Sequence, residues 1–234
     1  MSEAYFVTGC QLPAGSTLDA LLQDVLKNGG LKPNQVNEIH LFTDAASALF
    51  ERKHESIFGT VIQWPLIPHL AVSTLFSACR ALESGELTAC VLVENSAQMS
   101  SAILLANPSA VGRFNLSPKV ALSHRSSHPE GITDLADCVT KLLASIPKEE
   151  PDAETDAPDL RVAPKKPARP WLAVHTDAPT GIPDWPDDRF LTGSSLFPLL
   201  TNLADSVARS KTDPAVFAHI LPGEPGDAML VLPL

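Results

Sequence analysis

The residue types with a potential for chemistry concentrate around one segment, IPHLAVSTLFSACRALESGE at residues 67–86. Its apolar, small-residue-rich composition predicts a buried helix over 69–84 that is entered from a proline and closed by Gly85. A helix N-terminus lowers the pKa of a nearby thiol and offers N–H donors to a developing oxyanion. Pro68 and His69 occupy that place, and proline can neither attack a substrate nor donate a hydrogen bond.

A few other side chains are candidates for chemistry. His69 could serve as a base or a ligand, although a histidine at a helix start or an interface is the favoured interpretation. Glu94 follows a very apolar run, and burial would raise its carboxyl pKa. A solvated or paired turn residue is the favoured interpretation of Glu94, and Asn95 lies beside it. Cys79 and Cys90 lie within apolar runs and are interpreted as buried, unreactive thiols.

Other motifs do not indicate chemistry. His124 and His128 have a four-residue spacing, but the adjacent proline and polar surroundings predict a loop, so we expect no metal site. Gly193-Ser194-Ser195 does not form a GxSxG elbow, and a turn followed by a helix cap is the better interpretation. No glycine-rich loop for phosphate is present, and we expect no cofactor.

Strand-like and helix-like segments alternate along the chain, which predicts an α/β domain with a largely parallel sheet. The predicted strands are 4–10, 36–42, 56–64, 87–93, 119–123, 171–175, VFAHIL and AMLVLPL. The predicted helices are 16–30 with Ser16 as N-cap, 44–54, 69–84, 131–146 and 195–210. Residues 147–170 are charged and proline-rich, which predicts a linker between one unit at 1–146 and another at 171–234.

Bulk properties restrict the function further. The 234 residues are 44% hydrophobic, which is enough for a substantial core. A net charge of -10 argues against binding to nucleic acid or to an anionic membrane. No signal peptide and no apolar run of membrane-spanning length is recognisable, and the four cysteines form no CxxC pair. These observations predict a cytoplasmic protein.

Several segments then point to a family. LFSACRALESGE followed by LTACVLVENSAQMS resembles the nucleophile helix and the next strand of the thiolase and β-ketoacyl synthase superfamily. GLKPNQVNEIHLF resembles the segment that leads into the second strand of that family. RFLTGSSLFPLLTNLADSVARS and AVFAHILPGEPGDAMLVLPL resemble its C-terminal loop, helix and hairpin. The resemblance implies a thiolase-like α/β fold with mostly parallel sheets, a complete N-terminal βαβαβαββ half and a shortened C-terminal half.

The departures from the family pattern fall on its functional positions. Counting along the motifs without gaps places the nucleophilic cysteine at Pro68, the motif histidine at Phe190 and the second cysteine at Ile220. Glu94-Asn95 replaces a double glycine. The resemblance therefore implies an acyltransferase-like pseudoenzyme without catalytic residues, in which Pro68, His69, Glu94 and Asn95 line an acyl pocket or an altered site.

The resemblance also implies a partner, because members of the superfamily pair through the strand before the nucleophile helix. In this chain the apolar residues of that strand are Ile57, Phe58, Val61, Ile62 and Trp64. We expect a non-catalytic subunit similar to a polyketide chain-length factor, which would pair with a full-length ketosynthase or thiolase in fatty-acid or polyketide biosynthesis, or with itself. Acyl carrier protein or acyl-CoA is a further expected partner. An enzyme of altered acyl-thioester chemistry that uses His69 or Glu94, and a homodimeric scaffold, remain alternatives.

Overall fold

A computed structural model describes residues 3–13, 16–43, 59–96, 99–127, 132–146, 169–176, 185–220 and 226–234. Within these residues the chain forms one ten-stranded sheet and five helices. The strands are β1 Ala4–Pro13, β2 Glu38–Thr43, β3 Thr60–Pro65, β4 Ala89–Asn95, β5 Met99–Ala106, β6 Val120–Ser127, β7 Trp171–His175, β8 Phe190–Gly193, β9 Ala215–His219 and β10 Asp227–Pro233. The helices are α1 Leu18–Gly29, α2 Pro68–Ser84, α3 Pro108–Phe114, α4 Ile132–Ala144 and α5 Leu196–Ser210.

The sheet is mixed, which corrects the expectation of mostly parallel sheets. Strand β2 pairs in parallel with β3 and β4, and β7 pairs in parallel with β8 and β9. All other pairs are antiparallel, because β5 and β10 each return beside the strand that precedes them in the chain. Apolar strand runs carry no signal of direction, so the sequence could not distinguish the two arrangements.

The strand order shows that the two halves of the fold repeat each other. The order is β3-β2-β4-β5-β1-β6-β10-β9-β7-β8. Read outward from the centre, the first half is β1, β5, β4, β2, β3 and the second half is β6, β10, β9, β7, β8, so corresponding strands occupy corresponding positions. The antiparallel pair of β1 and β6 forms the centre. The second half therefore has a full set of five strands, so the predicted shortening does not extend to its strands. The predicted domain boundaries at 146 and 171 stay predictions.

The helices pack on the two faces of this sheet. Helices α2 and α5 share one buried cluster with strands of both halves, including Phe42 from β2 and Phe217 from β9. Helix α1 lies in a second cluster with β2, β4 and β5, and α4 lies in a third with β7, β9 and β10. Helix α2 is thus placed directly against its counterpart α5 from the other half.

Local signals explain most helix ends. Helix α1 is capped by Thr17, whose Oγ1 accepts from the backbone N–H of Ala20 at 3.2 Å, and not by Ser16 as the sequence suggested. Gly30 and Gly85 follow α1 and α2 in the left-handed conformation that glycine adopts without strain. Helix α2 begins one residue earlier than predicted, at Pro68, where the lack of an N–H carries no penalty.

Some elements escaped the sequence interpretation. Strand β5, strand β8 and helix α3 were not predicted, because their segments are short or contain turn-forming residues. The predicted helix at 44–54 and most of the linker at 147–170 lie outside the described residues. Among the described helices, none is both long and apolar enough to span a membrane.

Candidate functional site

Two histidines lie at the ends of neighbouring strands and contact each other. His175 ends β7, His219 ends β9, and the parallel register places the two residues side by side. Their Nδ1 atoms are 2.8 Å apart, the ring centroids are 4.9 Å apart and the ring planes are inclined by 22°. Both side chains are buried, His219 completely. The pair therefore forms a polar centre inside the core of the second half.

The hydrogen bonds of the pair fix its tautomers when both rings are neutral. The carbonyl oxygen of Ser194 lies 3.1 Å from His175 Nε2 and can only accept, so His175 Nε2 carries the hydrogen. His175 Nδ1 then accepts from the Nδ1–H of His219. The remaining nitrogen, His219 Nε2, keeps its lone pair. It is buried and has no hydrogen-bond partner within the described part of the chain.

A third histidine joins the pair from the other half of the fold. His69 is the second residue of α2, and its ring centroid lies 6.3 Å from that of His219. Burial lowers the pKa of His219 from 6.5 to about 4, with smaller contributions from His175 and His69. His219 is therefore neutral near neutral pH and available as a proton acceptor. We call His69, His175 and His219 the histidine cluster.

Glu94 lies at a related place in the first half. It is near the end of β4, and its Oε2 atom and the neighbouring Ser101 Oγ are both buried without a hydrogen-bond partner in the described part of the chain. Burial raises the carboxyl pKa of Glu94 from 4.5 to about 6, because desolvation penalises the charged carboxylate more than the nearby polar groups of Phe197 and Ser101 favour it. Asn95 accepts from the Ser100 hydroxyl at 2.7 Å, which holds it in place.

Of the three positions that the resemblance assigned to catalysis, two lie beside the histidine cluster and one lies elsewhere. Pro68 begins α2 beside His69, and Ile220 follows His219 directly and is buried. Phe190 begins β8 and packs against the third core cluster, with α4. The fold thus brings Pro68 and Ile220 to the histidine cluster, whereas the Phe190 side chain belongs to another part of the core.

Sequence reasoning missed His175 and His219. Both end a predicted strand, in WLAVH and VFAHIL. The ungapped count fell on Ile220, one residue beyond His219, and no quoted motif contained His175. Two strands that end in histidine would have been a usable signal, because parallel neighbours bring their carboxyl ends together. Only the pairing of β7 with β9 makes that signal specific.

Three of the cysteines are buried or half-buried thiols with raised pKa values. Burial raises the pKa of Cys79 to about 12 and that of Cys10 to about 11, and it raises the pKa of Cys90 well above its usual range. None of these thiols is a nucleophile near neutral pH. Among the described residues no group of three histidine, cysteine or acidic side chains is arranged to hold a metal ion.

The predicted interface strand is an edge of the described sheet. Strand β3 is first in the strand order and pairs only with β2. Val61, Ile62 and Trp64 are half-buried, and Trp64 Nε1 donates to His40 Nδ1 at 3.3 Å. Ile57 and Phe58 lie outside the described residues.

Comparison with known proteins identifies the fold. No protein-family model and no curated protein matches the chain. Solved structures do match over almost the whole chain. An acetyl-CoA acetyltransferase from Bacillus anthracis aligns with a TM-score of 0.68 at 10% identity and covers 100% of this chain and 99% of its own. The chain has the thiolase-like fold.

Two further structures agree. The human mitochondrial 3-ketoacyl-CoA thiolase, solved with CoA, aligns with a TM-score of 0.65 at 9% identity and covers 100% of this chain and 98% of its own. The 3-oxoacyl-[acyl-carrier-protein] synthase III of Aquifex aeolicus aligns with a TM-score of 0.62 at 9% identity and covers 98% of this chain and 99% of its own. The thiolase-like α/β fold class predicted from the sequence is confirmed, and at these identities the comparison concerns the fold alone.

Proposed function

We propose that the chain is a ketosynthase-type subunit that does not itself carry out condensation and pairs with an active β-ketoacyl synthase or thiolase. Its role would resemble that of a chain-length factor in fatty-acid or polyketide biosynthesis. The proposal rests on the thiolase-like fold, on Pro68 at the start of α2 and, above all, on the open edge of β3.

The edge of β3 is ready for pairing with another strand. The N–H groups of Thr60 and Leu66 donate inward, toward β2, to the carbonyls of Asn37 and Thr43. By the alternation of a strand, the N–H groups of residues 61 and 63 face the open edge. Pro65 has no N–H to offer there, which limits unspecific pairing to the first part of the strand. An open edge of this kind favours a matched partner strand.

Apolar surface lies next to this edge. Ile67, between β3 and α2, is 47% exposed, and it is one of two large hydrophobic side chains in the described chain with such exposure. The other is Leu234, which is 60% exposed at the far end of the sequence. Exposed apolar surface beside an unpaired strand edge is typical of a contact that forms only in a complex.

Acyl thioesters are the ligand class that we assign to the complex. Structural neighbours include proteins named for acetyl-CoA, 3-ketoacyl-CoA and acyl-carrier-protein substrates. Pro68 offers no thiol for attack on such a substrate, so condensation would take place on the partner. The present chain would complete or stabilise the partner's acyl pocket.

The test is co-expression with a full-length β-ketoacyl synthase, followed by co-purification. Gln63→Pro removes an edge-facing N–H and leaves the bonds to β2 intact, so we expect loss of association. Gln63→Thr keeps the N–H and is the matched control. Ile67→Asp should weaken association at least ~10-fold, since a desolvated apolar contact is worth more than 1.4 kcal/mol, whereas Leu234→Asp should not.

The outcomes separate the proposed function from its alternatives. Association that is lost in Gln63→Pro and kept in Gln63→Thr supports a partner subunit. Self-association through the same edge, without binding to a ketosynthase, would favour the homodimeric scaffold. A stable monomer that binds no ketosynthase would refute the proposal.

A further inference from the structure

The histidine cluster contains a proton acceptor that the proposed pairing at β3 does not use. His219 is fully buried, and its Nε2 has no hydrogen-bond partner within the described part of the chain. An unsatisfied buried nitrogen is costly, by about 1–3 kcal/mol. Such a group in a protein interior calls for a ligand, and a ring that keeps its lone pair at neutral pH binds a proton donor.

A second residue holds this nitrogen in its acceptor form. His175 donates from Nε2 to the Ser194 carbonyl and accepts from His219 at Nδ1. The Ser194 carbonyl cannot donate, so it selects the tautomer of His175, and His175 in turn selects that of His219. The chain of hydrogen bonds thus ends in a base whose orientation is set by the backbone.

The base lies next to the N-terminus of α2. The ring of His69, the second residue of that helix, is the neighbour of His219 on that side. Ile67 provides no side-chain cap, so the first turn of α2 presents backbone donors and the positive end of the helix dipole to whatever binds there. These features suit a developing oxyanion.

Within the described part of the chain, no side chain stands beside the base as an attacking group. Pro68 holds the place of the nucleophile, and no described hydroxyl or thiol lies within hydrogen-bond distance of His219 Nε2. The described residues therefore favour a small molecule as the donor of the proton that this nitrogen accepts. Water is the simplest such molecule that a buried polar site admits.

We propose that the histidine cluster is a hydrolytic site for acyl thioesters, with His219 as general base and His175 as its positioning residue. Water attacks the thioester carbonyl while its proton moves to His219 Nε2. The tetrahedral oxyanion is stabilised at the start of α2, the C–S bond breaks, and the proton passes from His219 to the departing thiolate. The products are a carboxylic acid and a thiol. Within this proposal, only the choice of acyl thioesters as the substrate class rests on the proposed function.

The experiment measures thiol release from acetyl-CoA by the full chain alone, without a partner. His219→Asn keeps a donor near the Nδ1 position and removes Nε2, so we expect thiol release to fall about 100-fold or more. His175→Asn keeps an acceptor toward His219 and should retain more activity than His175→Leu, which leaves His219 unpaired. His40→Asn, at a buried histidine outside the cluster, is the matched control and should keep the rate.

A substrate-free measurement tests the positioning role. In nitrogen-15 spectra of histidine, the unchanged chain should show His219 protonated at Nδ1, and His175→Leu should shift it toward the Nε2–H form. An Nε2–H tautomer in the unchanged chain, no thiol release by it, or equal release by His219→Asn would each overturn the inference. Because the partner is absent, these results are independent of the association assay at β3.

Discussion

Mild acid should affect this protein through two buried groups that act in opposite directions. The pKa of His219 is lowered in the folded chain to about 4, and the pKa of Glu94 is raised to about 6. Lowering the pH from about 7 to about 5 therefore protonates His219 mainly in the unfolded chain and Glu94 mainly in the folded chain. Protonation of His219 favours unfolding and protonation of Glu94 favours folding, so the two effects on the free energy of unfolding partly cancel.

The magnitudes follow from the two pairs of pKa values. For His219, whose ordinary pKa is 6.5, stability is complete above that value and declines as the pH falls toward 4. Between about pH 7 and about pH 5 this loss is about 2 kcal/mol. For Glu94, with an ordinary pKa of 4.5, stability is complete below that value and is lost as the pH rises through 6. Acidification over the same range restores about 1 kcal/mol.

Urea unfolding at the two pH values measures both contributions. Together, His219 and Glu94 leave the unchanged chain about 1 kcal/mol less stable at the lower pH. Glu94→Gln removes the stabilisation that Glu94 gains on acidification. The free energy of unfolding of this variant should therefore fall by about 1 kcal/mol more than that of the unchanged chain between the two pH values. His219→Asn removes the destabilisation that His219 causes on acidification. The change in the free energy of unfolding between the two pH values should therefore be about 2 kcal/mol more favourable for this variant than for the unchanged chain. Equal pH dependence in both variants would refute the burial argument for these two groups.

Two further predictions concern the scaffold and can be checked by thermal or urea unfolding. Gly29→Ala should destabilise the chain by about 1–3 kcal/mol because the new methyl group would overlap a leucine side chain of β5, whereas Gly112→Ala, with open space in α3, should stabilise it by up to about 1 kcal/mol. Asn37→Ala should cost about 2–3 kcal/mol, because its Oδ1 accepts from Thr88 N, Thr88 Oγ1 and Ala89 N at 2.8, 2.6 and 3.0 Å. Asn37→Asp keeps the acceptor and should cost less. A neutral Asn37→Ala would show that this amide does not hold the start of β4.

Local sequence patterns were sufficient for most of the elements. The apolar periodicity from Leu70 to Leu82 and the glycine at 85 predicted α2, and the structure ends the helix there. The apolar runs before Glu94 and His175 likewise predicted β4 and β7. These features depend on neighbours within a few residues, so the sequence alone determines them.

The direction and order of the strands depended on the tertiary structure. Strand β5 lies between β4 and β1, and β10 lies between β9 and β6, which makes the sheet mixed. Both are short apolar runs that would fit either direction. Their placement depends on pairing with β1 and β6, which lie far from them in the sequence, and is therefore a property of the whole sheet.

The candidate site shows the same division. The sequence drew attention to Pro68, His69 and Glu94 because they follow recognisable local elements. The contact between His175 and His219 joins residues 44 positions apart, and His69 comes to them from the other half of the fold. Such a contact requires the parallel pairing of β7 with β9 and the packing of α2 against α5, which no local pattern records. The sequence by itself determined that α2 begins with proline and histidine, and only the tertiary structure placed the buried pair of His175 and His219 beside them.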